Sequence, residues 1–137
     1  MITIYTDRFI PKRHQAVTRG PIILIRPEHR DDRGLLEHER EHVRQWLAVS
    51  IMACSILGLL IYALMGVEMI QWAALGMGVH GALYSLVPEY RLASEIDAFR
   101  EQARHYPDDR IPTFAALLTS NYDLDIYFDE ALRELRK

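Results

Sequence analysis

The pentad His38-Glu39-Arg40-Glu41-His42 contains the residue types and the spacing of a zinc site. On a helix, side chains four residues apart lie one turn apart on the same face, so both imidazoles can bind one ion. Glu39 follows the first histidine, at the position from which a carboxylate reaches a metal-bound water. Because Zn²⁺ brings the pKa of that water to about 7, Glu39 can serve as general base in the attack on a carbonyl.

A third ligand is needed to support this prediction, because a chain with six histidines contains such a pentad by chance on the order of once in a hundred. Catalytic zinc sites usually have three protein ligands and one open position for water. We expect Glu95 to be the third ligand, since its predicted helix follows a long apolar segment that returns the chain to its starting side. Asp97, His29 and Glu89 are the alternatives.

The segment before the pentad predicts short strands and a loop. Residues 2–5 alternate between polar and apolar types, as in a short strand, whereas residues 9–20 are polar and predict a loop. Ile22–Ile25 is an aliphatic, mostly β-branched run, and the prolines that flank it favour an edge strand. Asp31 and Asp32 predict the start of the helix that carries the histidines.

Residues 46–87 form the most apolar part of the chain. Neither 46–67 nor 69–87 contains a charged residue. About 20 such residues match the hydrocarbon thickness of a bilayer, and no polar face interrupts the first segment. We therefore predict a transmembrane helical hairpin, with a helix buried in a soluble core, an oligomer or a virion as the alternative. Within the hairpin, the side chains of His80 and Tyr84 are expected to pack rather than to bind metal.

The rest of the chain predicts helices over residues 89–105, 113–118 and 125–137. The fold class is therefore mainly α, of the α+β kind. It comprises short N-terminal strands, the pentad helix, the apolar two-helix hairpin, a glutamate-bearing helix and C-terminal helices. A length of 137 residues predicts a single domain.

Charge and cysteine content argue against several other functions. The formal net charge of -3 gives no electrostatic reason to expect a nucleic-acid partner. Cys54 is the single cysteine, so no intramolecular disulfide or thiolate cluster is expected, and its apolar surroundings favour a packing role. The first residues lack the basic and then apolar pattern of a secretory signal.

The pentad, followed downstream by a glutamate-bearing helix, resembles the gluzincin clan of zinc metallopeptidases. The short strand before the pentad helix and the small size are similar to the minigluzincins. The apolar hairpin between the two zinc helices resembles the HtpX-type membrane metallopeptidases. The flanks of both motifs, at residues 35–46 and 90–102, are also similar to small gluzincin-like proteins of phages and proteobacteria. The resemblance covers residues 22–102.

This resemblance implies three zinc ligands, His38, His42 and Glu95, with Glu39 as general base. Members of the clan often place an aspartate four residues after the glutamate ligand, where it orients a histidine. Here that position is Phe99, so the supporting carboxylate is unassigned.

The predicted function is that of a membrane-embedded zinc endopeptidase that acts on peptides or proteins. The strand residues Ile23, Leu24 and Ile25 would align an extended substrate by strand addition. Tyr90 and Arg91, close to Glu95 in sequence, are the candidates for stabilising the oxyanion.

Arginines flank both ends of the apolar hairpin, whereas its turn holds only Glu68. By the positive-inside rule, the zinc site then faces the cytoplasm from the inner membrane. Three other interpretations stay open: an inactive metallopeptidase-like structural or assembly protein, a metal-binding module without turnover, and a soluble or virion-associated protein. A homo-oligomer or a larger assembly is compatible with each of them.

Overall fold

A small three-stranded sheet precedes a set of helices in the computed structural model, which describes residues 1–122 and 124–137. The strands are β1 (Ile2–Tyr5), β2 (Ala16–Arg19) and β3 (Ile22–Ile25). A 3-10 turn at Pro27–His29 leads from the sheet to the first helix. The mainly α fold predicted from the sequence, with its short N-terminal strands, is confirmed.

The strand order is β1-β3-β2, so the sheet differs from the sequence prediction in two respects. β3 is the central strand, parallel to β1 and antiparallel to β2, and the prediction of an edge position for it is wrong. The edge strand β2 lies within residues 9–20, for which a loop was predicted. β2 and β3 are joined by a tight turn in which Gly20 has a φ of 60°, in the left-handed region that glycine adopts without strain.

The pentad lies on α1 (Arg33–Met65), a single helix of 33 residues. Asp32 caps its first turn, where the carboxylate accepts a hydrogen bond from the backbone N–H of Leu35 at 2.9 Å. The helix ends at Gly66, whose φ of 89° a side chain would disfavour. α1 is long and apolar enough to cross a membrane, and only 11% of its most apolar 18-residue stretch is buried inside the protein.

The return arm of the apolar hairpin is a 3-10 segment, Val67–Gly78, followed by the short helix α2 (Val79–Leu86). It packs along α1 through small residues. A Cβ added to Gly76 would lie 2.5 Å from the backbone nitrogen of Cys54, so only glycine allows this approach. At the base of the hairpin, the indole N–H of Trp46 donates to the carbonyl of Met77 at 3.1 Å.

Three further helices form the second half of the protein: α3 (Pro88–Ala103), α4 (Ile111–Asn121) and α5 (Phe128–Leu135). Their apolar faces share one core, built around Phe99, Phe114 and Leu118. A smaller core lies between the sheet and α1 and includes Ile23 and Val43. The two zinc helices expected from the sequence, α1 and α3, lie side by side, which places Glu95 next to the pentad.

Candidate metal centre

The side chains of His38, His42 and Glu95 converge between α1 and α3. Nε2 of His38 lies 3.2 Å from Nε2 of His42. The carboxylate of Glu95 lies across from both rings, with Oε2 3.5 Å from Nε2 of His38 and Oε1 3.4 Å from Nε2 of His42. The structure therefore brings together the three residues that the sequence singled out.

These separations are short enough for one ion to contact all three side chains. Ligand atoms at 2.0–2.1 Å from a zinc ion in tetrahedral geometry lie about 3.3 Å from one another. The two imidazole nitrogens are 3.2 Å apart, and each has a different oxygen of Glu95 nearby, Oε2 at 3.5 Å from His38 and Oε1 at 3.4 Å from His42. Oε2 of Glu95 is buried and accepts no hydrogen bond of ordinary geometry from the described residues, so it retains the capacity to bind an ion. This buried group of two imidazoles and a carboxylate could hold a metal ion.

Burying the negative charge of Glu95 beside the two histidines costs free energy unless a cation compensates for it. The Glu95 side chain is 2% exposed and that of His38 is 6% exposed. Although burial disfavours its charged form, hydrogen bonding and charge attraction from Glu95 raise the pKa of His42 to about 9. Burial likewise opposes ionisation of Glu95, but its bonds to both histidines hold the pKa of the carboxyl well below the usual range. In the metal-free protein, a proton on His42 thus takes part of the place of a cation.

The outer supports of the two histidines differ. Nδ1 of His42 lies 3.1 Å from Oε1 of Gln45, one turn further along α1. Nδ1 of His38 is buried and has no hydrogen-bond partner among the described residues. The ring of Phe99 packs edge-on against His38 instead, with 4.6 Å between ring centroids. Phe99 therefore stands where the resemblance led us to expect a carboxylate, and it supports His38 by contact alone.

Two tyrosines near Glu95 were not identified from the sequence as site residues. The hydroxyl of Tyr84 on α2 donates a hydrogen bond to Oε1 of Glu95. Tyr122, at the end of α4, also faces Glu95, and burial together with the negative charge of Glu95 raises the pKa of its phenol. Tyr84, which was expected to pack rather than to bind metal, thus also hydrogen-bonds a residue of the ligand group.

His80 also lines the site cavity, and its Nδ1 is 2.7 Å from the hydroxyl of Tyr90. The i, i+4 spacing of His80 and Tyr84 within an otherwise apolar segment was the available signal that both face one polar site.

Glu39 is buried beside the ligand group and is held by the edge strand. The hydroxyl of Thr18 on β2 lies 2.6 Å from Oε2 of Glu39 and 3.1 Å from the Glu39 backbone carbonyl. Thr18 has one hydroxyl proton, and the shorter distance favours donation to the carboxylate. β2 thereby fixes the side chain that the pentad predicts to be the general base.

A cavity of about 410 Å³ opens over this group. It lies between β2, α1 and the return arm of the hairpin, and it is lined by His38, Glu39, His42, Glu95, Tyr84 and Trp46 among others. A second cavity of similar size, lined by Tyr106, Phe114 and Leu117, adjoins the opposite side of the site. Both share His14, Ala16, His38, Glu39 and Tyr122 in their walls, so together they form a cleft that runs along β2 and past the ligand group.

The open edge of β2 faces this cleft. The backbone N–H of Arg26 donates to the carbonyl of Gln15 at 3.0 Å, which makes Gln15 and Arg26 a hydrogen-bonded pair of the β2–β3 ladder. Because such pairs alternate along an antiparallel ladder, the backbone groups of Ala16 and Thr18 point away from β3. Both residues line the cleft, Ala16 at 5% exposure and Thr18 half-buried.

The residues predicted to bind substrate lie elsewhere. Ile23, Leu24 and Ile25 lie on the central strand β3, whose two edges pair with β1 and β2, so the edge position on which the predicted strand addition depended is wrong. Tyr90 bonds His80. The guanidinium of Arg91 donates to the backbone carbonyls of Tyr84 and Tyr122, so it braces the two site tyrosines.

The alternative third ligands do not belong to the group that converges on the imidazoles. Asp97 is exposed and pairs with Arg100 at 3.3 Å, and Glu89 is exposed on the first turn of α3. His29 lies 3.8 Å from Glu28, in the 3-10 turn after the sheet.

A second group of acidic and histidine side chains, Glu37, Glu101 and His105, lies on the outer side of α1 and α3. Arginines already neutralise it. Arg44 lies 3.5 Å from Glu37, and Arg104 lies 2.6 Å from Glu101. This group is an ion-pair network, and its positive charges oppose the binding of a cation.

No protein-family model, curated protein or solved structure matches this chain.

Proposed function

We propose that this protein is a zinc-dependent endopeptidase of the gluzincin type. The observation that carries the proposal is the buried group of His38, His42 and Glu95, in which the imidazole nitrogens are 3.2 Å apart and each faces one carboxylate oxygen of Glu95 at 3.4 or 3.5 Å. Two imidazoles and one carboxylate are ligands that suit zinc, and these three residues would hold it beside the cleft. When bound there, zinc would act as a Lewis acid that polarises a peptide carbonyl and makes a water reactive near neutral pH.

Glu39 supplies the proton transfers in this proposal. Its carboxylate lines the same cavity as the three ligands, and Thr18 restrains Oε2. Glu39 would remove a proton from the attacking water and pass it to the nitrogen of the leaving amine. The hydroxyl groups of Tyr84 and Tyr122 line the same cavity, and either would donate to a negatively charged oxygen if it exchanged its present bond to Glu95 for that oxygen.

The proposed substrate is a peptide segment in extended conformation. It would add to the outer edge of β2, where the backbone groups of Ala16 and Thr18 point away from β3 and both residues line the cleft. Thr18 then has two roles in the same place, since its backbone meets the substrate and its side chain holds Glu39. This edge replaces β3 as the proposed substrate-binding strand.

We also propose that the apolar hairpin lies in a lipid bilayer. From Trp46 to Met65, α1 extends about 30 Å, the thickness of a hydrocarbon core. Apart from the face that packs against the return arm, the apolar side chains of this stretch are exposed, with Leu59 at 71% and Leu64 at 82%. Because arginines flank both ends of the hairpin, the positive-inside rule would put the zinc site on the cytoplasmic face of the inner membrane.

The proposed function is tested by replacing Glu39 with glutamine in the detergent-purified protein. Glu39→Gln should still bind one zinc ion but hydrolyse a quenched fluorescent peptide library at least about 100-fold more slowly, since general bases contribute that much or more. Glu41→Gln is the matched control. It lies on the same helix, pairs with Arg44 at 2.8 Å and does not belong to the ligand group. Hydrolysis by Glu39→Gln at the wild-type rate would refute the role of Glu39.

A second candidate function is favoured by Phe99. The contact of Phe99 with His38 replaces the expected carboxylate, and it suits a metallopeptidase-like protein that binds metal for structure or assembly alone. Stoichiometric zinc in the wild type without hydrolysis of any peptide or membrane-protein substrate would favour this second function.

A further inference from the structure

Gln45 connects the two helices that carry the ligand group. Its side-chain Nε2 donates to the backbone carbonyl of Ser94 at 3.1 Å, and Ser94 directly precedes Glu95 on α3. Its Oε1 lies 3.1 Å from Nδ1 of His42 on α1. One amide thus contacts one metal-ligand residue and the backbone next to another.

These two contacts together determine the tautomer of His42. The carbonyl of Ser94 can only accept, so the NH₂ group of Gln45 must face it and Oε1 must face His42. Oε1 can also only accept, so Nδ1 of His42 must carry a proton. In the neutral ring, the lone pair is then on Nε2, which points to His38 and Glu95.

His38 has no comparable support. Its Nδ1 lacks a partner among the described residues, and the ring is positioned by the edge of Phe99. Histidine ligands usually donate their second N–H to a carboxylate, a carbonyl or water, and loss of that support typically weakens metal binding 10- to 100-fold. The polar support of this site is therefore concentrated on His42.

We infer that Gln45 is the positioning residue of the metal centre: its neutral amide sets the tautomer of His42 and ties that ligand to the turn that presents Glu95. This inference rests on the metal site of the proposed function and not on peptidase turnover. A carboxylate would support His42 equally well but could not donate to Ser94, so the amide is the group that makes both bonds.

The inference is tested by zinc affinity, measured by chelator competition on the full chain in detergent. Gln45→Leu should bind zinc 10- to 100-fold more weakly than the wild type. Gln45→Glu should have an affinity between those of the wild type and Gln45→Leu, because its carboxylate still accepts from Nδ1 of His42 but cannot donate to the carbonyl of Ser94. Gln102→Leu is the control: it removes the buried amide of Gln102 on α3, which bonds Tyr106 at 3.1 Å and does not belong to the ligand group.

Equal zinc affinity of the wild type and Gln45→Leu would overturn the inference, as would equal losses in Gln45→Leu and Gln102→Leu. If Gln45→Leu does not fold, the zinc-loaded wild type still decides the question by the ring ¹⁵N chemical shifts of His42. A proton on Nδ1 and zinc on Nε2 are expected, and zinc on Nδ1 would overturn the inference. Zinc binding without peptide hydrolysis would refute only the proposed peptidase function, whereas absence of zinc from the wild type would refute the metal centre and this inference together.

Discussion

The two halves of α1 have opposite surfaces, although they form one uninterrupted helix. Residues 33–45 bury charged and polar side chains, among them Glu37, His38 and Glu39 at 7%, 4% and 5% exposure. Residues 47–65 expose apolar side chains, and little of this stretch is covered by the rest of the protein. The first half of α1 thus buries polar side chains, whereas the second half exposes apolar side chains to solvent.

The two halves are therefore suited to different partners, the first to a cation and the second to an apolar surface. Buried charges are tolerated when they are paired or bind a metal, and the triangle at His38, His42 and Glu95 has room for one cation. Exposed apolar surface of this extent is covered in functional proteins by lipid or by another protein. The single helix α1 therefore connects the buried polar group with the exposed apolar hairpin, and the candidate metal centre lies at the base of that hairpin.

The comparison is tested most severely by charge in the apolar half. Ile56 and Leu60 lie one turn apart and are 54% and 53% exposed. If the hairpin spans a bilayer, arginine at both positions should disfavour insertion by about 6 kcal/mol, since each costs about 3 kcal/mol at the centre of a membrane helix. Resistance to carbonate extraction should be lost.

Ile2 and Tyr127 provide the control pair, because both are exposed apolar residues outside the hairpin. Arginine at these two positions should leave the protein in the membrane fraction. A wild-type protein that carbonate releases without detergent would refute membrane insertion of the hairpin.

The polar half is tested by the pH dependence of stability. In the metal-free protein, the pKa of His42 is raised from 6.5 to about 9. A raised pKa stabilises the folded state fully below pH 6.5, and this stabilisation is lost as the pH rises through 9. Melts in excess chelator should show a loss on the order of 2 kcal/mol between pH 6 and pH 9.

Zinc should reverse this trend, because the ion binds deprotonated imidazoles and its affinity rises over the same pH interval. His14→Gln, which changes an exposed histidine, should have the same pH dependence of stability as the wild type, both without metal and with zinc. A metal-free stability that does not fall between pH 6 and pH 9 would contradict the buried ion pair of His42 and Glu95.

The smallest expected effect concerns the contact that holds the hairpin together. Gly76→Ala places a methyl group against the backbone of Cys54, so it should destabilise the protein in detergent by about 1–2 kcal/mol. A Cβ at Gly81 meets nothing within 4 Å, and Gly81→Ala should be neutral or slightly stabilising in α2. Equal melting temperatures for the two variants would show that the return arm does not pack closely on α1.

The ligand group could be predicted because it depends on local spacing and on one topological step. The i, i+4 spacing fixes His38 and His42 on one helical face, whatever the rest of the fold does. Glu95 needed the further step that an apolar hairpin returns the chain to its start. Gln45 was within reach as well, since it lies three residues after His42 on the same face.

The proposed substrate-binding edge and the site tyrosine on α2 could not be predicted in the same way. β2 is only four residues long, and its strand conformation depends on pairing with β3 rather than on its own residues. Tyr84 follows a 3-10 segment, which rises about 2.0 Å per residue instead of 1.5 Å and turns 120° instead of 100°. If the return arm is assumed to be α-helical, Tyr84 is therefore predicted at the wrong position along the helix axis and on the wrong helical face.

Metal analysis of the purified protein tests the central claim most directly. The account predicts about one zinc ion per chain in the wild type and a loss of nearly all of it in His38→Ala and in Glu95→Ala. Asp97→Ala, which changes an exposed carboxylate on the same helix as Glu95, should retain the full zinc content. A wild-type protein without stoichiometric zinc, or zinc that persists in His38→Ala, would contradict the account.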